Sequence, residues 1–330
     1  MRILVTGSAG HLGEALMRSL PALGHQPRGI DLRSSPLTSD VGSITDAGFV
    51  ARCMVGIDAV LHTATLHKPH VATHSRQQFV DTNISGTLNL LEAALANRVR
   101  SFIFTSTTST FGDALRPPPD QPTAWITEDL RPLPKNIYGI TKLAAEELCA
   151  LFHRLYGLPC LVLRTSRFFP EADDDEAARL AYADANLKAA EFLYRRVDVE
   201  DVVSAHVAAL ERAAAIGFGR YIISATAPFT RADLAGLRAD APAVIKRYVP
   251  DYEAEFARRG WRMLPSLDRV YVNQRARREL GWQPRYDFAT VIAKLRRDED
   301  LLSPLARQIG SKGYHQQTFA EGPYPTALPC

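Results

Sequence analysis

The chain has 330 residues, 46% of them hydrophobic and 23% charged, which is ample apolar material for a core and excludes a disordered or low-complexity chain. Thirty-nine basic against 36 acidic residues leave a net charge of +3, too little to argue for nucleic acid as a partner. Cys53, Cys149, Cys160 and Cys330 are scattered without a CxxC pair, so they read as reduced thiols rather than a disulfide framework or a zinc knuckle. No run approaches the roughly 18 apolar residues of a membrane span, and the first apolar run is too short for a signal peptide. A soluble, cytoplasmic protein with no membrane partner is expected.

The predicted elements alternate. Residues 3–6 read as a buried strand, and 12–23 as a helix with Leu12, Ala15, Leu16 and Leu20 on one face. A second strand ends at Asp31, and a third is 59–62. A long helix over 77–99 precedes a strand at 101–105. A helix over 137–156 precedes a strand at 160–163. This order predicts crossover units and a doubly wound parallel sheet covered on both faces. Beyond about residue 165 the rhythm weakens. An acidic loop spans 170–175, and helical stretches follow at 176–193, 201–215, 252–259, 274–280 and 288–296. The segment 221–224 is a candidate to return to the sheet. After Gly310 no periodicity is visible.

The first strand runs into Thr6-Gly7-Ser8-Ala9-Gly10-His11-Leu12-Gly13. Glycines at that spacing allow a tight turn, close backbone approach to a pyrophosphate, and close helix–strand packing. The free N–H groups at the helix start then hold the anion. Asp31 follows at the end of the next strand, where a carboxylate suits the two ribose hydroxyls of NAD and repels the 2′-phosphate of NADP. Arg33 lies close enough to soften that preference.

Tyr138 and Lys142 stand at i and i+4 on one helix face. A nearby ammonium favours the phenolate, and such a tyrosine exchanges a proton with a substrate hydroxyl while a hydride moves to or from nicotinamide. Thr107, just past the fourth strand, can hydrogen-bond the same oxygen.

With TGSAGHLG (6–13), Asp31, DV (40–41), LHTAT (61–65), NISGTLNLLEAA (83–94), FIFTSTTSTFG (102–112), YGITK (138–142), VDVEDVVSAH (197–206) and RARRELGW (275–282), the chain resembles the extended short-chain dehydrogenase/reductases. Within them it is similar to the NAD-dependent epimerase/dehydratase family that includes UDP-glucose 4-epimerase. The resemblance implies an α/β, Rossmann-type fold with a smaller C-terminal substrate-binding lobe. Residues 1–166 would form the NAD-binding domain, and 167–330 mostly the lobe, with about 197–224 returning to the first domain. It implies Thr107, Tyr138 and Lys142 as the catalytic group. It places Gly7, Gly10, His11, Leu12, Gly13, Asp31, Asp40, Val41, His62, Ala64, Asn83 and Thr105 at the cofactor, with Tyr138 and Lys142. It also implies a homodimer built on the helices 77–99 and 137–156.

The departures narrow the chemistry. Thr108 and Ser109 follow Thr107 where 4,6-dehydratases carry an Asp-Glu pair, so water elimination is not expected. Arg167 stands where the family carries a substrate-contacting Asn, and Arg195 lies beside the position of a diphosphate-gripping Arg. A guanidinium at either place suits a carboxylate or phosphate. The stretch LRTSRFFPE (163–171) is similar to that of uronate dehydrogenases. His67 and Thr108 are further candidates for the substrate side. His62, His67, His70 and His74 lack a carboxylate or Cys to complete a ligand set, so no metal is expected. Asp198 and Asp201 are candidate carboxylates, with capping of the following helix by Asp201 as the simpler reading.

The resulting expectation is an enzyme transferring hydride reversibly at a carbinol carbon of a sugar, sugar nucleotide or other sugar derivative, of the epimerase type. The alternative is an NAD(P)-dependent dehydrogenase or reductase of a smaller, acidic hydroxy or keto substrate. A non-catalytic NAD-sensing protein is the third reading, against which the retained Tyr138, Lys142 and Thr107 argue.

Overall fold

The computed structural model describes residues 1–313, 315, 319 and 324. Cys330 and most of the segment after residue 313 lie outside the described residues. Among the described residues there are nine strands: β1 (Arg2–Thr6), β2 (Gln26–Asp31), β3 (Asp40–Val41), β4 (Ala59–His62), β5 (Ser101–Thr107), β6 (Ala124–Ile126), β7 (Cys160–Thr165), β8 (Phe218–Ile223) and β9 (Arg269–Tyr271). Seven form one parallel sheet in the order β3-β2-β1-β4-β5-β7-β8. The chain leaves β1 toward β2 on one side and resumes at β4 on the other. That reversal opens a crevice at the carboxyl ends of β1 and β4, the usual ligand position in a doubly wound sheet.

Strand alternation decides which helices cover which face. Ile3, Val5, Leu61, Ile103, Leu161 and Leu163 face one core with the helices His11–Ser19 and Val199–Ile216. Leu4, Val60, Phe102, Phe104 and Val162 face the other, against the helices Ala47–Met54, Gly86–Ala96 and Ile137–Tyr156. A third apolar cluster holds the C-terminal lobe together around Phe192, Leu237, Ile245, Phe256 and Phe288. The two-stranded parallel ribbon β6–β9 joins it to the sheet edge through Ile126, Ile222 and Tyr271.

Several boundaries have local causes. The first helix stops at Ser19, four residues short of the expected end, because Pro21 has no N–H to continue the ladder; a 3₁₀ turn and Gly24 at φ 77° follow. The long helix opens at Arg76 under a Ser75–Gln78 capping box, contains a π-turn at Asp81–Ser85, and closes at Ala96. The helix Ile137–Tyr156 has the expected bounds, with Asn136 accepting from Gly139 N and Gly157 at φ 69°. The stretch 176–193 divides into Glu176–Ala181 and Asp184–Glu191, with Tyr182 extended between them. The candidate strand at 221–224 does join the sheet, as edge strand β8. Asp198, not Asp201, caps the helix Val199–Ile216. Asp201 instead accepts from Arg285 N (2.8 Å) and Tyr286 N (2.9 Å), tying the late chain to the sheet helix. No helix among the described residues is long and apolar enough to cross a membrane. Cys53, Cys149 and Cys160 are unpaired and buried.

One buried carboxylate braces the sheet behind the crevice. Glu146, fully buried, accepts from Ser106 Oγ (2.5 Å), from Arg164 Nε (3.0 Å) and Nη2 (2.7 Å), and from Arg220 Nε (3.2 Å). Removing it leaves Arg164 buried and uncompensated. Glu146→Ala is expected to destabilise the protein by about 3–5 kcal/mol, read as a lower denaturant midpoint in equilibrium unfolding.

Candidate active site

A cleft of about 1070 Å³ runs along the carboxyl ends of the strands. At its first end Gly7 turns the chain at φ 73°. A Cβ on Gly7 would stand 2.9 Å from Ala64 N, and one on Gly13 only 1.9 Å from Gly7 O. The helix start therefore lies hard against the loop, where a dinucleotide's pyrophosphate would meet backbone rather than side chains. Asp31 accepts from Ala9 N (3.0 Å) and Arg33 N (2.8 Å), and Arg33 Nη2 reaches back to Ala9 O (3.2 Å). A carboxylate is thus fixed at the end of β2, aimed for a diol. The donor set fits NAD.

Gly7, Gly10, His11, Leu12, Gly13, Asp31 and Ala64 all line this end. Asp40 and Val41 do not. Asp40 is held in a two-pronged ion pair by Arg28 (2.8 and 3.1 Å), and the cleft wall there is made by Gly42, Ser43 and Ile44. His62 is also off the wall. It is buried between Thr6 Oγ1 (2.8 Å) and Thr87 Oγ1 (3.0 Å) and packed on Phe102 and Phe104. Burial, with Lys142 nearby, holds its pKa well below the ordinary histidine range. Asn83 works behind the wall as a tie. It accepts from Thr65 Oγ1 and Leu66 N and donates to Leu66 O and Thr141 Oγ1, all at 2.8–3.1 Å.

The other end gathers the reactive side chains. Thr107, Thr108 and Tyr138 line the cleft, as does Thr105, whose hydroxyl lies 2.8 Å from His206 Nε2. Burial raises the Tyr138 phenol to about 12, and the Thr107 hydroxyl pulls it partly back. Lys142 is buried one turn further on and does not line the cleft; its Nζ lies 4.0 Å from the Phe104 ring centroid. Burial lowers its pKa to about 7, against the opposing pull of Glu146 and Cys149.

The facing wall comes from the loops after β4 and β7. The His67 ring stands 6.0 Å from the Tyr138 ring and 5.7 Å from Phe169. Burial pushes His67 well below the ordinary range, with His70, Lys142 and His11 adding to it. Arg167 and Arg195 also line the cleft, but neither is a bare cation. Arg167 donates to Glu171 O and Ala172 O and lies 3.6–4.0 Å from Asp173, Asp174 and Glu191. Arg195 pairs with Asp173 and with Glu191 (2.7 Å). Burial pushes Glu191 up, but Arg196, Arg195 and Arg167 outweigh it and hold it at about 2. Sequence reasoning missed Glu171, Asp173, Asp174, Tyr271 and Lys312 on this wall. The acidic loop was visible as a run of charge, but nothing marked its partners. Among the described residues no group of three or more His, Cys, Asp or Glu is placed to hold a metal ion.

The model of the family described as NAD dependent epimerase/dehydratase matches residues 3–223. A 3-beta-hydroxysteroid dehydrogenase of Mycolicibacterium neoaurum is 36% identical over 118 residues, covering 33% of this chain and 32% of that protein. A UDP-glucose 4-epimerase of Rhizobium meliloti is 27% identical over 325 residues, covering 88% and 94%. The chain thus spans about a third of the first relative's length and nearly all of the second's. A solved structure of a short-chain dehydrogenase/reductase superfamily protein from Agrobacterium tumefaciens with bound NAD is 25% identical, with a TM-score of 0.63 over 90% of this chain and 98% of that one.

Two consequences for stability follow from the buried charges. Lys142 falls from 10.5 to about 7 on folding, so the unfolded chain binds its proton more tightly and stability rises as pH climbs from 7 toward 10.5. Lys142→Met is therefore expected to stabilise the empty protein near neutral pH by on the order of a few kcal/mol, read by thermal unfolding. Glu191 shifts in the same direction, from 4.5 to about 2, but there the charged form is the one the fold favours. Its contribution is full above about 4.5 and is lost as pH falls toward 2. Glu191→Gln should flatten the acid limb of the stability curve in that window, by on the order of 3 kcal/mol.

Proposed function

This chain belongs to the NAD-dependent epimerase/dehydratase family, and from that footing we propose that it catalyses reversible hydride transfer at a carbinol carbon of a sugar or sugar derivative, as an epimerase. The observation that carries this reading is that Thr107 and Tyr138 line one cleft whose other end is the glycine loop and Asp31. Gly7, Gly10, Gly13 and Asp31 would hold NAD, which would supply a hydride acceptor and donor. Tyr138 takes the hydroxyl proton as the carbon loses its hydride, and gives it back on the return step. Thr107 orients the substrate oxygen. Lys142 is the cation this reading assigns to favour the phenolate, although in the structure burial keeps the Tyr138 phenol at about 12.

His67, Thr108, Arg167 and Arg195 form the substrate wall in this reading. Asp173, Asp174 and Glu191 lie against the two arginines, with Lys68 also pairing Asp174 and Arg196 also pairing Glu191. A wall of such paired charges offers hydrogen bonds that suit a hydroxyl-rich ring. Residues 1–166 hold the cofactor, 167–330 mostly hold the substrate, and about 197–224 return to the first domain as the helix Val199–Ile216 and edge strand β8. We place the enzyme in the cytoplasm as a homodimer paired through the helices near 76–96 and Ile137–Tyr156; the exposed Ile140, Leu155 and Tyr156 support that face. A second reading, a dehydrogenase that releases ketone and reduced cofactor, draws support from the 36% identical steroid-dehydrogenase segment.

The deciding measurement is the cofactor released on denaturing the purified protein, followed by a screen of sugars and nucleotide sugars for epimer formation. Near-stoichiometric cofactor and epimer formation without net reduced NAD are expected. Steady accumulation of reduced NAD would instead establish the dehydrogenase. Tyr138→Phe is expected to lower turnover by about 10²–10⁴-fold while leaving the bound cofactor in place.

A further inference from the structure

Glu171 follows β7 and lines the cleft, yet its partners come from both ends of the chain. Its Oε1 accepts from Ser311 Oγ (2.8 Å), Lys312 N (3.2 Å) and Gly313 N (3.4 Å). The same oxygen lies 3.1 Å from His11 Nε2, at the first turn of the glycine-loop helix. Lys312 N is 3.1 Å from that ring nitrogen as well, and Lys312 Nζ pairs with Glu14 one turn along the same helix. Lys312, Gly313, His315 and Tyr324 all line the cleft. Two further contacts cross the same opening: His315 Nε2 lies 3.0 Å from Pro69 O, and Lys68 pairs with Asp174.

Glu171 is only 8% exposed at its side chain, and its second oxygen, Oε2, is buried with no hydrogen-bond partner among the described residues. Burial raises its pKa, but the bonds from His11 and Ser311 outweigh that and hold it at about 2, so the carboxylate stays charged across the working pH range. A bare carboxylate beside a pyrophosphate site would repel the ligand. Here Lys312 and the His11 ring surround it, so the same charge becomes the anchor of a crossing segment.

We propose that Glu171 is the keystone of a clasp, in which residues 311–313 are tied across the cleft to His11 and Glu14, and that the clasp slows release of the bound dinucleotide. Glu171 is a positioning residue in this scheme and takes no part in proton or hydride movement. The inference rests on the reading of the cleft as an NAD site. It deepens that reading, because an epimerase that releases its cofactor between the two hydride steps strands its substrate as a ketone.

The test measures release of NAD from the loaded full-length protein into an excess of fluorescent etheno-NAD, with no substrate present. Glu171→Ala and Lys312→Glu are each expected to speed release by about tenfold, a change of about 1.4 kcal/mol. The double variant should be no faster than the faster single, since both open one clasp. Glu171→Gln, which keeps an acceptor oxygen, should recover part of the slow release. Unchanged release in a folded single variant overturns the proposal. So does a multiplicative effect in the double variant, or slower release, which would mark the segment as a plug. If Glu171→Ala does not fold, Lys312→Glu decides alone. A parent protein that binds no NAD sinks the reading of the site itself, whereas one that binds NAD and turns over with release unchanged in the variants sinks only the clasp.

Discussion

The helix His11–Ser19 can approach β1 only because Gly13 has no side chain: a Cβ there would overlap the carbonyl of Gly7. That single approach aligns three other features. It presents the free N–H groups of the helix start to the cleft. It places Ala9 N where Asp31 can accept from it, so the carboxylate at the end of β2 is locked in register with the loop. It also leaves room for the loop after β4, which Thr6 stitches to β1 by accepting from Thr63 N (3.1 Å) and Ala64 N (3.0 Å). The floor of the cleft is therefore a set of mutual constraints, and moving any one of them displaces the rest.

At the other end, the arrangement favours chemistry over stability. Lys142 is an ammonium in an apolar setting beside Phe104, and its burial costs the fold free energy. Tyr138 is buried too, and Thr107 only partly offsets the effect of that burial on its phenol. Neither group improves the core, and both stand on one helix whose next turn carries Glu146. That carboxylate is bound by Arg164, Arg220 and Ser106 on the neighbouring strands. The helix is thus braced a turn away from its costly residues, which holds Tyr138 in place at the cleft wall.

Much of the sheet was legible because its strands are short apolar runs bounded by turn residues and separated by amphipathic segments. β4 and the helix Ile137–Tyr156 have the bounds that the pattern alone predicts. The glycine loop and the pair Tyr138–Lys142 were legible because their spacing is local. What escaped is non-local or too short to show a period. β6 and β9 are three residues each and pair across some 140 positions. Asp40 looked available for a ligand, but Arg28, on the adjacent strand, claims it. His62 and Asn83 sit in the expected segments, yet their side chains turn inward to hydroxyl and amide partners that no spacing rule reveals. The link from Glu171 to residues 311–313 joins positions more than 130 apart.

The same limit holds on the substrate wall, where residue type alone does not show an arginine's partners. Arg167 and Arg195, read in isolation, call for an anionic substrate, since a guanidinium left bare in a cleft pairs best with a carboxylate or phosphate. The fold answers that demand internally. Asp173, Asp174 and Glu191 close around the guanidinium groups, and Glu191 remains ionised because three arginines surround it. For Arg195, an entering anion would compete with Asp173 and Glu191, already paired to it. Arg167 is held more loosely: its carboxylate neighbours stand 3.6–4.0 Å away, and its Nε is buried without a hydrogen-bond partner among the described residues. The two arginines of the wall thus differ in how much of their charge the fold has already answered, and both hold the acidic loop after β7 against the cleft.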